Sequence, residues 1–187
     1  MKKNSFLGTF LLATFLLLHS TSCKKDVSNE TTDDNLSISE NARMTTSAEE
    51  KKLETELLKD VRNATARFHS TTQAIGAGYV PDNHCVSVPN LGGMGYHWVN
   101  PSLVDPVFDP LKPEVVLYAT GSDGELQLVA VEYIVINTGQ TAPKFGNQPF
   151  IVGGTPVQVP HWSLHVWLYE NNPSGIFVSF NPNISCP

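Results

Sequence analysis

The chain changes its hydrophobic spacing once, from a helical to a strand-like period, and this change constrains the fold most. In residues 47–76 the apolar side chains recur at steps of three or four residues or their multiples, which predicts a helix with one apolar face. Ser47 and Glu50 have the spacing of a capping box, and Gly76 and Gly78 predict the end of the helix. The apolar positions are Leu53, Leu57, Val61, Ala64, Phe68 and Ile75.

The second half of the chain has the spacing of strands. Residues 115–120 and 125–136 are rich in β-branched side chains and flank a Gly-Ser-Asp-Gly turn, which predicts a hairpin. Further strands are predicted at 96–99, 162–170 and 176–180, and a long loop at 137–149. One N-terminal helix packed on an antiparallel sheet, with long Pro- and Gly-rich loops, predicts an α+β fold. A cystatin-like or NTF2-like wrapped sheet is the first expectation, and an αβ-barrel-like fold is the alternative.

The N-terminus has the layout of an export signal. Two lysines precede an apolar run, residues 6–18, that is too short to be a lone membrane span. Small residues then lead to Cys23, and the arrangement resembles the lipobox of bacterial lipoproteins, with Ser20 where leucine is usual. The resemblance implies cleavage before Cys23 and a lipid on that cysteine. An ordinary secretory signal with a chance cysteine is the alternative.

These features divide the chain into three predicted parts: a lipoprotein signal peptide at 1–22, a flexible tether at 23–46 and a single domain at 47–187. The tether is polar and almost free of large apolar groups, so it cannot bury enough surface to offset its conformational entropy. The expected location is the cell envelope, lipid-anchored in the outer membrane on its periplasmic or its surface face.

Two of the three cysteines remain if Cys23 carries lipid. Cysteines of exported proteins tend to pair in an oxidising compartment, so Cys85 and Cys186 are predicted to form a disulfide. Its loop of about 100 residues would contribute about 4–5 kcal/mol in the chain-entropy model. The alternative is a Cys–His metal site that uses His84 or His97.

The charge distribution in the C-terminal two thirds of the chain bears on the kind of partner that the domain binds. From residue 69 onward the only lysines or arginines are Lys112 and Lys144, against eight acidic residues. This balance argues against a nucleic-acid or anionic-membrane surface. The expected partners are therefore the membrane, through the N-terminal lipid, and a small-molecule ligand.

Alternation along the predicted strands identifies two candidate site residues. In residues 162–170, His165 shares a face with Trp167 and Tyr169, a combination typical of a pocket wall. Glu132 is a carboxylate in an otherwise apolar strand, where it is predicted to share a face with Leu128. Its unpaired burial would cost several kcal/mol, so it needs a cation, a metal or hydrogen-bond donors. A solvated edge-strand position is the alternative for Glu132.

A third candidate, His97, lies between Tyr96 and Trp98 in a short strand that follows a glycine-rich segment. Together His97, His165 and Glu132 form a two-histidine, one-carboxylate set, which suits Zn, Fe, Mn or Cu. Met94 either packs or, with copper, acts as a soft ligand. The predicted function is a small-ligand or metal-binding pocket. The alternatives are a metal-dependent enzyme, hydrolytic or oxygen-using, a metal-free acid/base site, and histidines that only pack in a structural envelope module.

Three blocks of sequence resemble a family of exported bacterial proteins whose activity is uncharacterised: GMGYHWVNP, LVAVEYIV and LHVWLYENNPSGIFVSFNPNISCP. The resemblance covers roughly residues 60–187, and Phe180 stands where similar sequences tend to have tryptophan. It implies one domain that carries both Cys85 and Cys186. It implies no activity and no catalytic residue.

Overall fold

A computed structural model describes residues 33–154 and 157–187 of the chain, with side chains from Thr46 onward. The predicted signal peptide and the lipidation site Cys23 lie outside the described residues, and the division into signal, tether and domain stays a prediction. The elements, in chain order, are α1 (Asp33–Thr65), a 3-10 helix (Ala66–His69), α2 (Thr71–Gly76), β1 (Cys85–Val88), β2 (Gly92–Val99), β3 (Val115–Thr120), β4 (Leu126–Ile136), β5 (Lys144–Phe145), β6 (Gln148–Pro149), β7 (Ile151–Val152) and β8 (His161–Val166).

Six of the strands form one antiparallel sheet in the order β1-β2-β3-β4-β8-β7. The sheet curls into a half-barrel, and the helical segment lies on one side of it. The remaining strands, β5 and β6, pair with each other. The prediction of an α+β fold with a helix on a curled antiparallel sheet is therefore confirmed.

The helical region differs from the predicted single helix over 47–76. α1 begins at Asp33, inside the segment predicted as the tether, and ends at Thr65. The chain then passes through the 3-10 helix and restarts at Thr71, where the side chain of Ser70 accepts a hydrogen bond from the backbone N–H of Gln73. A serine in this capping position begins a new helix because its hydroxyl replaces a missing backbone acceptor.

Only the middle of the predicted apolar stripe is buried. Val61 and Phe68 lie in the core, whereas Leu53 is 62% exposed and Ile75 is 52% exposed. The expectation that Leu53 and Ile75 belong to a buried apolar face was wrong, and the reason differs between the two residues. Leu53 lies in the exposed part of α1, before the turns that contact the core. Ile75 follows the break at Ser70, which interrupts the helical spacing on which the stripe depends.

The end of α1 is held to the segment after β8 by polar contacts. The guanidinium of Arg62 donates two hydrogen bonds, at 2.9 and 2.7 Å, to the carbonyl oxygen of Leu168. The Tyr169 hydroxyl donates to the Arg62 carbonyl at 2.8 Å and lies 2.8 Å from the Thr65 hydroxyl. These contacts place the helix over one face of the sheet, which leaves the opposite face to form a cavity.

The C-terminal part of the sheet is shorter than predicted. β8 ends at Val166 instead of continuing to residue 170, and residues 176–180 form turns and bends instead of a strand. Side chains bind the backbone there: Trp167 Nε1 donates to the Val178 carbonyl at 2.6 Å, and Asn172 Nδ2 donates to the carbonyls of Val178 and Phe180. Because these carbonyls have side-chain partners, they need no strand pairing. In the predicted 137–149 loop, the β5–β6 hairpin forms instead.

A bulge between β3 and β4 changes which side chains of β4 share a face. Leu117 pairs with Ala130, but the next residue of β3, Tyr118, pairs with Leu128. The extra residue on β4 reverses the alternation at this point. Leu128 therefore joins the core cluster under the helix, and the prediction that it shares a face with Glu132 was wrong.

The predicted disulfide between Cys85 and Cys186 is present, with a sequence separation of 101 residues. It fixes the C-terminal segment beside β2, where Gly93 and Asn181 exchange backbone hydrogen bonds of 3.1 and 2.9 Å. The approach is close, since a Cβ on Gly93 would lie 2.7 Å from a methyl carbon of Ile184. Because Cys85 is in the disulfide, the alternative of a Cys–His metal site is excluded.

Candidate metal centre

Strand pairing brings the three predicted site residues together on the sheet face opposite the helix. Glu132 of β4 lies directly across from His165 of β8. β3 separates Glu132 from β2, and His97 on β2 pairs with Leu117 of β3. Each of the three alternates with side chains that pack under the helix, such as Tyr133 next to Glu132. The pleat of the sheet therefore points all three side chains the same way.

The ligand atoms of this cluster, which we call the metal centre (His97, Glu132 and His165), all lie within 4.8 Å of one another. His97 Nε2 is 3.7 Å from Glu132 Oε2, and His165 Nδ1 is 3.5 Å from Glu132 Oε1. Two ligands bound tetrahedrally at about 2.0–2.1 Å from an ion are separated by about 3.3 Å. Small side-chain movements would therefore bring these donors to bonding distance around one ion.

The metal centre is buried and incompletely hydrogen-bonded. His97, Glu132 and His165 are 6%, 4% and 4% exposed. Glu132 Oε2 and His165 Nε2 have no hydrogen-bond partner in the described part of the chain. The indole nitrogens of Trp98 and Trp162 are buried without a partner as well. Of these four atoms only Glu132 Oε2 lies between the two imidazoles, where an ion, a water or a ligand would give it the partner that buried polar atoms nearly always have.

Burial shifts the pKa of all three groups toward their neutral forms. Desolvation lowers the pKa of His97 to about 4 and, with the neighbouring His97 ring, lowers that of His165 to about 3. Desolvation and the nearby Glu114 raise the pKa of Glu132 to about 8, against a hydrogen bond from Ser163. Burial therefore favours the neutral form of each of these groups in the metal-free protein, whereas a bound cation would favour the ionised carboxylate.

A hydrogen bond between the His97 ring and the backbone of Gly95 accompanies this arrangement. Gly95 itself has φ +91°, and a Cβ there would lie 2.3 Å from the carbonyl oxygen of Tyr118. Metal-binding histidines usually donate their second ring nitrogen to such an outer partner, which fixes the ring orientation. The glycines before His97 thus position its imidazole and allow β2 to approach β3.

The metal centre lies in a cavity of about 480 Å³. Apolar side chains form much of its wall, and polar groups from the loop before β1 and from the C-terminal segment complete it. The lining residues besides the metal centre are Asp82, His84, Val86, Met94, Ile151, Val152, Gly153, Gly154, Ser163, Ser179 and Phe180. The volume is within the range of small-molecule sites, about 300–1,000 Å³.

Of the three predicted pocket residues, only Met94 lines the cavity. Trp167 follows the end of β8 and packs with the buried Ile184 cluster, and Tyr169 binds the end of α1 through its hydroxyl. The prediction that Trp167 and Tyr169 form the pocket wall was wrong. Trp167 lies on the same side of the sheet as His165 but belongs to the core cluster there, and Tyr169, beyond the end of β8 at Val166, packs with the core under the helix.

Sequence reasoning did not identify most of the cavity wall. Asp82 and His84 come from an irregular loop, where the Asp82 carboxylate accepts a hydrogen bond from the His84 backbone at 2.9 Å. Their only sequence signal is an Asp-x-His turn just before Cys85, whose disulfide fixes this loop near the C-terminal segment. Ser163 carried a better signal, since it stands two residues before His165 on the same strand face.

A second buried carboxylate, Glu114, was also not identified. It is 1% exposed, and its Oε2 accepts a hydrogen bond from the backbone N–H of Ile134 at 2.9 Å. Burial raises the pKa of Glu114 to about 8, so this side chain is a neutral acid in the folded protein at neutral pH. When Glu114 ionises at higher pH, its charge also disfavours the ionised form of Glu132.

No protein-family model, curated protein sequence or solved structure matches this chain. Within residues 33–154 and 157–187, no helix combines the length and the apolar character needed to cross a membrane.

Proposed function

We propose that the protein binds one divalent transition-metal ion through His97, His165 and Glu132, with a small molecule in the cavity above it. The observation that carries this proposal is the convergence of three ligand atoms within 4.8 Å of one another at the base of a cavity. The residues come from β2, β4 and β8, so only the folded sheet assembles them.

The proposal accounts for a carboxylate oxygen that packing alone leaves unsatisfied. If these side chains only filled the core, Glu132 Oε2 would be buried without a partner, at a cost of about 1–3 kcal/mol. An apolar side chain of similar volume would avoid that cost. A metal ion gives the carboxylate its countercharge, and the remaining coordination positions admit a ligand.

Two imidazoles and one carboxylate suit Zn, Fe(II), Mn and Cu. Three protein ligands leave at least one coordination position open, as in catalytic rather than structural sites. A metal-dependent enzyme, hydrolytic or oxygen-using, is therefore the second candidate function. The open cavity beside the ligands is the observation that favours it.

The test is metal binding by the purified protein and matched variants. We expect one ion per chain by mass spectrometry under native conditions and by calorimetric titration after chelator treatment. His97→Ala, His165→Ala and Glu132→Gln should each weaken binding at least about 100-fold, since loss of an outer partner alone costs about 10–100-fold. His161→Ala is the matched control because His161 is also buried on β8 but does not belong to the metal centre.

The comparison between the two β8 histidines, His161 and His165, shows whether the ion binds at the proposed centre. If His161→Ala retains the wild-type affinity while His165→Ala loses it, the ion is bound at the proposed centre. Equal metal content in the wild type and all ligand variants would show that the ion binds elsewhere or adventitiously. A competition series with Zn, Fe(II), Mn and Cu then ranks the ions.

We also propose that the protein is exported and lipid-anchored at Cys23 in the outer membrane of the cell envelope. The N-terminal layout supports this, and so does the Cys85–Cys186 disulfide, since such bonds persist in oxidising compartments. Mass spectrometry of the mature N-terminus should find a lipid on Cys23 and no residues before it. Cys23→Ser should move the protein from the detergent-rich to the aqueous phase. An unmodified Cys23 in a membrane fraction would contradict the anchor.

A further inference from the structure

The charge balance of the cavity identifies the kind of ligand that the metal centre accepts. A divalent ion bound to two neutral imidazoles and one carboxylate keeps a single net positive charge. Among the described residues that line the cavity, the only acidic side chain besides Glu132 is Asp82, which is exposed at the mouth, and none is a lysine or arginine. A buried net charge costs several kcal/mol unless it is paired. The open coordination position therefore favours a monoanion.

The apolar wall of the cavity indicates that the part of the ligand that does not bind the ion is hydrocarbon. Val86, Met94, Ile151, Val152 and Phe180 contribute apolar surface. Two of them, Ile151 and Val152, are on the edge strand β7 and are 56% and 74% exposed. A ligand with a hydrocarbon body would remove this surface from water, at about 25 cal/mol per Å² of apolar area. The anionic head would then lie at the metal and the hydrocarbon would extend toward the mouth.

We propose that the metal-loaded protein binds small monocarboxylates with an apolar body, the carboxylate on the ion and the hydrocarbon against β1, β2 and β7. This inference rests on the proposed metal site and adds its ligand class. Neutral alcohols of the same length lack the charge that the ion needs. Dicarboxylates of the same length place a second charge among apolar side chains and close to Asp82.

Asp82 makes the mouth of the cavity selective against a second negative charge. Its carboxylate lines the cavity and is close enough to His97 to act on that ring electrostatically. It also accepts the hydrogen bond from the His84 backbone, and the oxygen of an asparagine can accept the same bond. The variant Asp82→Asn therefore removes the charge and keeps the turn.

A second aspartate offers a matched control. Asp123, in the β3–β4 turn, accepts a backbone hydrogen bond from Glu125 at 3.1 Å in the same local geometry, and it does not line the cavity. Asp123→Asn thus changes the net charge of the protein by the same amount at a distant point. A difference between the two variants measures the effect of charge at the mouth alone.

The experiment is calorimetric titration of the Zn-loaded and the metal-free full-length protein with straight-chain carboxylates from acetate to octanoate. Affinity for the Zn-loaded protein should rise up to about four-fold with each methylene, from about 0.8 kcal/mol per buried CH₂. Octanol, which has the same chain without the charge, should bind at least ten-fold more weakly than octanoate. The metal-free protein should not bind octanoate measurably.

Suberate, a dicarboxylate of the same length as octanoate, tests whether Asp82 disfavours a second negative charge at the mouth of the cavity. It should bind the wild type at least ten-fold more weakly than octanoate. Asp82→Asn should reduce this difference two- to five-fold, as expected for one exposed charge, and Asp123→Asn should leave it unchanged. Equal effects of the two variants would overturn the inference that the charge of Asp82 makes the cavity mouth selective.

The outcomes separate this inference from the metal proposal. If the protein binds Zn at the metal centre but does not distinguish octanoate from octanol, the ligand class is wrong and the metal site stands. If octanoate binds equally well with and without Zn, the cavity is a lipid-binding site independent of the ion, and the inference is overturned. If no ion binds, both proposals fail.

Discussion

Replacement of Glu114 by glutamine tests whether a buried neutral acid supports the sheet next to the metal centre. Glu114 is fully enclosed, and its side chain accepts a hydrogen bond from the backbone of Ile134 on β4. The nearby charges are unfavourable to its ionised form: Asp105 and Asp109 both raise its pKa, after the larger effect of burial. Glutamine has nearly the same shape, accepts the same bond and has no proton to lose in this pH range.

The magnitude follows from the difference between the unfolded and folded pKa values. A free glutamate ionises near pH 4.5, and the folded side chain has a pKa of about 8. Between these values the folded protein keeps a proton that the unfolded chain has released, so the free energy of unfolding falls as the pH rises. The slope for one group is about 1.4 kcal/mol per pH unit. From pH 5 to pH 8 the wild type should lose roughly 3 kcal/mol that Glu114→Gln retains.

The assay is urea unfolding of the wild type and the variant at half-unit steps from pH 5 to pH 8, followed by tryptophan fluorescence in the presence of a chelator. The two proteins should be similar in stability at pH 5, and the variant should be increasingly more stable above it. Glu125→Gln, at an exposed position, is the control and should follow the wild type. A constant difference between wild type and Glu114→Gln at every pH would refute the reasoning, because it would mean that Glu114 is ionised to the same extent in the folded and the unfolded protein.

Three further predictions concern other parts of the fold. Replacement of Cys85 and Cys186 by serine should lower the free energy of unfolding by about 4–5 kcal/mol, measured in urea, since the bridge closes a loop with a separation of 101 residues; reductant should have no further effect on this variant. Gly95→Ala should lower the free energy of unfolding by more than about 2 kcal/mol and weaken metal binding, because the new Cβ would collide with β3. Gly124→Ala, at φ +82° with open space around it, should lower the free energy of unfolding by only about 1 kcal/mol, and equal losses for the two variants in thermal unfolding would contradict this reason. Tyr169→Phe should lower the free energy of unfolding by about 1 kcal/mol, because it removes the hydroxyl's hydrogen bonds to α1, and should leave metal affinity unchanged. A large loss of metal affinity would show that Tyr169 contributes to the metal-binding cavity.

The strand predictions succeeded where alternation was uninterrupted. β3 and β4 were predicted within one residue, and the alternation of β8 correctly separated His165 from Leu164. The errors came at irregular points. The β3–β4 bulge placed Leu128 on the other face of the sheet. Beyond the end of β8, Trp167 packs in the core cluster with Ile184, and Tyr169 packs on the helix side, so neither lines the cavity. Bulges and strand ends depend on pairing with a neighbouring strand, which a single segment of sequence does not contain.

The three residues of the candidate metal centre could be predicted from the sequence, but their arrangement in space could not. Two histidines and a carboxylate in strands are conspicuous, since each is costly to bury without a partner. Their separation required the strand order β2-β3-β4-β8, which places Glu132 opposite His165 and His97 across β3. The cavity wall required still more, because Asp82 and Phe180 belong to irregular segments held in place by the disulfide and the C-terminal turns.

The sequence alone predicted an α+β fold, a disulfide between Cys85 and Cys186 and three polar candidates for burial, because residue type and period are local properties of the chain. It predicted inward-facing side chains correctly only where the helical or strand period is unbroken. Only the tertiary structure decided that these three meet at one point and that the wall around them is mostly apolar. The distances between these side chains, and the residues around them, depend on strand order, register and curl. Contacts between residues far apart in the chain set all three.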